Sequence, residues 1–173
     1  MGKLDIGKLT RQYRRYWLAE KDLQEARAIA HLILDLNLHS RPKEPLDVEN
    51  RALSLAAVVS YGRAFVESKS EGSVLVASVM PKSVLQRLSR EERELHNKLL
   101  DLRHKQLAHS DMGPVGLKIG LIKDGDFSMY EVTRVPLSRK EVSLVKKMTE
   151  DLIEELLERQ EELRKMLPEG HEF

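Results

Sequence analysis

Apolar residues recur along this chain mostly at spacings of three and four, and interruptions of that rhythm divide it into four long helical stretches. Between about Lys8 and Leu36, Tyr13, Tyr16, Trp17, Leu23, Ile29, Ile33 and Leu36 form one stripe, which predicts a helix with those residues on its core face. His39-Ser40-Arg41-Pro42-Lys43-Glu44-Pro45 ends it, because two prolines and short polar side chains cannot carry a helix forward. A second helix is expected from about Asp47 to Ser68. Its Leu53, Leu55, Ala56, Ala57, Val58 and Val59 are apolar nearly all round, the pattern of a deeply buried helix.

Residues 70–82 carry the apolar run Ser73-Val74-Leu75-Val76-Ala77-Ser78-Val79-Met80, which fits a short strand and an irregular connector equally well. Ser89-Arg90-Glu91-Glu92 is a capping box, in which serine and glutamate satisfy exposed helical amides reciprocally. The helix it opens places Leu95, Leu99 and Leu102 on one face and ends near Ala108, ahead of the stop signal Ser110-Asp111-Met112-Gly113-Pro114. The period then changes to two. Val115, Leu117, Ile119 and Leu121 alternate with Gly116, Lys118, Gly120 and Ile122, a turn is expected at Lys123-Asp124-Gly125-Asp126, and Phe127 to Val135 follows. That is the pattern of a β-hairpin. Ser138-Arg139-Lys140-Glu141 is a second capping box, opening a last helix that ends near Leu167. Val142, Val145, Leu152, Leu156 and Leu163 suit packing along a neighbouring helix, and the tail 168–173 is expected to fray. The expected architecture is a single domain over 1–173: an all-α, four-helix up-down bundle with an antiparallel hairpin inserted at about 115–135.

Composition narrows the chemistry. Lys+Arg 29 against Asp+Glu 28 leaves a net charge of +1, so any attraction for phosphate must be local rather than global. With no cysteine there is no disulfide framework and no thiolate metal site, and a reducing cytoplasm is the expected location. Met1 to Arg15 lacks an apolar stretch of signal-peptide length, no run approaches a membrane span, and Ile6 stands where a myristoylation signal needs Ser or Thr. The six histidines show no metal-ligand spacing, so neither a metal nor another cofactor is expected.

The segment Leu102-Arg103-His104-Lys105-Gln106-Leu107-Ala108-His109-Ser110-Asp111 is the one that reads as chemistry. A guanidinium grips phosphate with a fork of donors, and an imidazole exchanges protons near neutral pH. On a continuous helix, Arg103 and His109 lie about 9 Å apart along the axis and roughly 120° apart around it, so they do not share a face. They converge only if the arginine reaches back, the helix unwinds, or a second copy supplies one partner. His96, one heptad before Arg103, does share its face. The plainer reading is a helix C-terminus whose cations complement the dipole.

This segment resembles the Arg-x(4–6)-His motif of the HEPN superfamily, in particular its abortive-infection-like branch. The leucine-rich helix before it and the Ser-Asp turn after it are similar as well. The resemblance implies a four-helix fold that pairs as a homodimer, and in many members a metal-independent endoribonuclease of toxin–antitoxin, phage-defence or RNA-processing systems. On it, Arg103 takes the place of the motif arginine and His109 of the motif histidine, with His104 at the polar position after the arginine. The family dimer joins two motifs, and the implied reaction is attack of a ribose 2′-hydroxyl on the adjacent phosphate. Asp111 stands where one branch carries a tyrosine modified by a nucleotidyltransferase, and the hairpin is additional to a minimal HEPN domain.

Secondary candidates surround the motif. Ser110 and Asp111 follow it directly. Tyr61-Gly62-Arg63-Ala64-Phe65 punctuates the second helix; Gly62 suggests close backbone approach, and Arg63 is either a second phosphate ligand or, more commonly for such a residue, a surface partner of a carboxylate. His96 is either a neighbour of the site or, more commonly, a surface histidine. Arg11, Arg14 and Arg15, interleaved with Tyr13, Tyr16 and Trp17, could bind single-stranded RNA, although the aromatics fall on the core stripe. Three functions remain: an RNA-cleaving dimer held in check by an antitoxin protein, a non-catalytic HEPN-like dimeric module binding a protein partner or nucleotide, and a helical interaction protein.

Overall fold

The computed structural model describes residues 5–40, 48–65, 80–107, 116–121, 127–132 and 137–168; side chains are described throughout these except at 105–107, 116–121 and 127–132. Helix α1 spans Ile6–Asp35, α2 Val48–Arg63, α3 Arg90–Leu107 and α4 Arg139–Met166. Strands β1, Gly116–Leu121, and β2, Phe127–Val132, pair antiparallel with Gly116 opposite Val132 and Leu121 opposite Phe127. The proline-rich break at 41–47, most of the ambiguous 70–82 stretch, the turn at 123–126 and the tail beyond 168 lie outside the described residues.

Local chemistry explains the helix ends. Asp5 caps α1 by accepting from the Lys8 amide at 3.0 Å, and α1 gives way to a turn in which Asn37 takes φ 48°, a left-handed conformation that asparagine tolerates. Both capping boxes form. Ser89 Oγ accepts from the Glu92 amide at 3.3 Å while Glu92 accepts from the Ser89 amide at 2.7 Å, and Ser138 and Glu141 repeat the pattern at 3.3 and 2.8 Å. Helix α2 is shorter than its apolar pattern suggests: it stops at Arg63 instead of continuing to Ser68. The Ala64 and Phe65 amides reach back to the Tyr61 and Gly62 carbonyls in tightened i−3 bonds, and the buried Arg15 guanidinium takes the Ala64 carbonyl.

Cross-helix partners give the directions. Asn37 meets Arg139 and Glu20 meets Gln160, so α1 and α4 are antiparallel; Lys98 meets Glu141 and Lys147 meets Glu92, so α3 and α4 are antiparallel too. Helix α1 also packs along α2, and α2 against α3, which makes the described helices a bundle. Its core joins Tyr16, Leu23 and Ile33 of α1, Val58 and Tyr61 of α2, Leu95 and Leu99 of α3, and Met148, Leu152 and Leu156 of α4. Before α3, a 3-10 turn at Lys82–Arg87 carries Val84 into the same core.

One part of the expected stripe is displaced. Trp17 is 46% exposed and Leu36 39% exposed, while Ala19, Ala26 and Ala30 are fully buried. The line that faces the other helices is Tyr16, Ala19, Leu23, Ala26, Ala30, Ile33, in which the alanines admit a close neighbour; Trp17, about 100° round from Tyr16, points away. The Lys21 ammonium stands 5.7 Å from its ring centroid. Glu20 on α1 is buried yet satisfied, accepting from Gln24 at 2.6 Å, from Lys21 at 3.0 Å and from Gln160 of α4 at 3.1 Å. No helix among the described residues is long and apolar enough to cross a membrane.

Removing the α4 cap tests the local account. Ser138→Ala should lower unfolding stability by about 1 kcal/mol, and Leu99→Ala, which empties a fully buried site, by about 2–5 kcal/mol. Urea titrations followed by circular dichroism resolve both; a Ser138→Ala protein as stable as the parent means the capping box contributes nothing.

Candidate functional site

The last turn of α2 and the middle of α3 meet along a seam that gathers several of the candidate residues. Tyr61 is fully buried on α2, and its hydroxyl lies 2.7 Å from His96 Nδ1 on α3 and 3.6 Å from Met148 Sδ on α4. One phenol therefore touches two other helices. Phe65 closes the cluster: its ring centroid is 5.0 Å from that of Tyr61 and 4.7 Å from that of His96, the latter edge-on at 83°. His96, with 5% of its surface exposed, is thus a core residue and not the surface histidine its polar neighbours suggest.

Burial sets the protonation of this pair. It pushes the Tyr61 hydroxyl well above its ordinary value of 10.0, and it pushes His96 down from 6.5 to about 4. Both are neutral at pH 7. A neutral imidazole leaves two ways to make the bond: the hydroxyl donates to Nδ1, or it turns to Met148 Sδ and accepts from an Nδ1–H. A ring in this state braces the seam, and its low pKa makes it a poor proton acceptor at neutral pH.

Arg103 lies two helical turns further along α3, about 10 Å from His96 along the axis. It is half-buried, and the arm of its side chain runs against the backbone of Gly62. Its Nε is enclosed without an acceptor, and no hydrogen bond or ion pair of Arg103 is found among the described residues. Other arginines near the seam are used differently. Arg15, from the basic cluster at the start of α1, is buried on the Ala64 carbonyl; desolvation lowers its pKa, against the attraction of Asp22. That removes it from any surface patch with Arg11 and Arg14.

The candidates separate accordingly. Tyr61, His96 and, through Gly62, Arg103 belong to one seam. Arg63 does not join it: the side chain is on the surface, donating from Nε to Asp22 at 2.8 Å and pairing with Glu25, both on α1. It is the carboxylate-paired arrangement that the structure shows for this residue. His104 is exposed and engaged in an interaction of its own. His109, Ser110 and Asp111 lie outside the described residues. Met148 joins the cluster without any signal in the sequence, because nothing local to α4 marks it as the neighbour of a phenol on α2.

Chemically, the seam offers a guanidinium with no counter-charge among the described residues, beside a neutral aromatic cluster. No group of three or more histidine, cysteine, aspartate or glutamate side chains that could hold a metal ion occurs among the described residues. Compared with protein-family models, with curated proteins and with solved structures, the chain matches none.

The low pKa of His96 has a consequence for stability. Its folded pKa lies below the unfolded value, so the unfolded chain takes up more protons as pH falls from about 6.5 to about 4, and stability is lost over that window. The loss is on the order of 2 kcal/mol. His96→Gln, which cannot titrate, should lack this component in unfolding titrations at pH 7, 6 and 5; an unchanged pH slope would mean that His96 protonates freely in the folded protein.

Proposed function

We propose that this chain is a metal-independent endoribonuclease of HEPN type, acting in a toxin–antitoxin or phage-defence setting, with Arg103 and His109 as its reacting groups. The observation that carries the reading is the state of Arg103. The side chain is half-buried with no counter-charge among the described residues, which favours an anion arriving from solution at its two terminal nitrogens. Six residues on stands His109, with the leucine-rich helix before the pair and the Ser110-Asp111 step after it.

The reaction needs no metal. The ribose 2′-oxygen attacks the adjacent phosphorus, a 2′-O–P bond forms, and the P–O5′ bond breaks. One His109 accepts the 2′-hydroxyl proton, and a second His109, from the other copy of a homodimer, returns a proton to the leaving 5′-oxygen. Arg103 stabilises the charge that grows on the non-bridging phosphate oxygens. The products are a 2′,3′-cyclic phosphate and a 5′-hydroxyl. A composite site of this kind resolves the angular separation of Arg103 and His109 on one helix.

The near balance of charge favours a second reading, a non-catalytic HEPN-like dimeric module that binds a protein partner or a nucleotide. One experiment separates the two. Purified protein incubated with RNA in the presence of a chelator should cleave it to cyclic-phosphate ends, and Arg103→Ala and His109→Ala should each reduce the rate by about a hundredfold or more. Cleavage that persists in His109→Ala removes the mechanism. RNA or nucleotide binding without any cleavage by the parent protein leaves the non-catalytic module.

A further inference from the structure

Gly62 occupies the last turn of α2, one residue after the tyrosine that bonds His96. A Cβ built there would overlap Cδ of Arg103 and lie 3.1 Å from its Cγ and 3.2 Å from its Nε. The three nearest atoms to that absent methyl all belong to this one side chain. The backbone of Gly62 is helical and outside the left-handed region, so conformational freedom is not what a glycine supplies here. Helix propensity by itself would favour alanine. What the position supplies is room.

We infer that Gly62 is a positioning residue, and that the bare backbone of α2's last turn is a seat for the arm of Arg103 that fixes where the guanidinium is presented. The Tyr61–His96 bond ties α2 to α3 at the adjacent residue of α2 and so holds the seat in register. The seat also selects an edge. With Nε enclosed against α2, the guanidinium meets a phosphate end-on, through its two terminal nitrogens, and not side-on through Nε. A methyl at 62 pushes the arm outward, frees Nε and rotates the fork. For the identity of the anion this inference rests on the ribonuclease reading; the seat itself is measurable without it.

Two readouts on Gly62→Ala make the test. In isotope-labelled parent protein, the Arg103 Nε–H should exchange with water more slowly than that of Arg93, which is exposed. In Gly62→Ala this protection should vanish while the melting temperature holds or rises. RNA cleavage should fall about a hundredfold, mainly in kcat, as expected when a reacting group is misplaced by about an ångström. Protection that survives in Gly62→Ala overturns the inference, whatever happens to cleavage. If Gly62→Ala proves unstable, the double variant Gly62→Ala/Arg103→Ala should recover the stability of Arg103→Ala; failure to recover places the clash elsewhere and also overturns it. A parent protein that cleaves no RNA, yet shows the protection and its loss, sinks the ribonuclease reading and leaves the seat standing.

Discussion

A phenol and an imidazole can sit in the middle of an apolar bundle only if each answers the other. Tyr61 and His96 come from α2 and α3, both are buried, and a single 2.7 Å hydrogen bond joins the hydroxyl to Nδ1. Lose either partner and the remaining group faces the penalty of a buried, unanswered polar atom, which is larger than the net worth of the bond itself. That asymmetry makes the pair a constraint on geometry more than a source of stability. It sets how α2 lies on α3, Phe65 and Met148 pack around the result, and the Gly62–Arg103 contact follows one residue further along α2.

Electrostatics across the molecule sharpen the contrast at that contact. Several surface cations are answered by carboxylates: Arg87 lies among Glu154, Glu155 and Glu158, Lys147 reaches the buried Glu92, and Arg63 bridges Asp22 and Glu25. Glu92 shows how such pairing overrides burial: desolvation alone would raise its pKa, but Lys147 and the two Ser89 hydrogen bonds hold it below the ordinary carboxylate value. Individually these exposed pairs contribute little. Arg103 differs in having a buried Nε with no acceptor among the described residues.

What was legible in the sequence follows from how local each signal is. Helix starts at Ser89 and Ser138 were readable because a capping box is closed within four residues. The bundle was readable because apolar spacing persists over many turns. Trp17 was misplaced because a stripe of mixed large residues does not say which flank a neighbour will cover, and the deciding feature was the run of small residues Ala19, Ala26 and Ala30. His96 could not be read as buried, since its burial depends on a hydroxyl 35 positions away. The close approach expected at Gly62 in the Tyr61-to-Phe65 segment is there, but Arg63 beside it turns to the surface.

The seat also bears on how Arg103 and His109 could act together. Three routes join them: the arginine reaches back, α3 unwinds between them, or a second copy brings its own motif. An arm already packed on Gly62, with Nε enclosed, has spent much of its reach before the guanidinium begins. Helix α3 runs through Leu107, and Ala108 and His109 lie outside the described residues. On the proposed ribonuclease reading, the pairing of two copies, each presenting a guanidinium held in one orientation, is the route that asks least of either chain. A fixed arginine favours a composite site, because symmetry can then do what side-chain flexibility cannot.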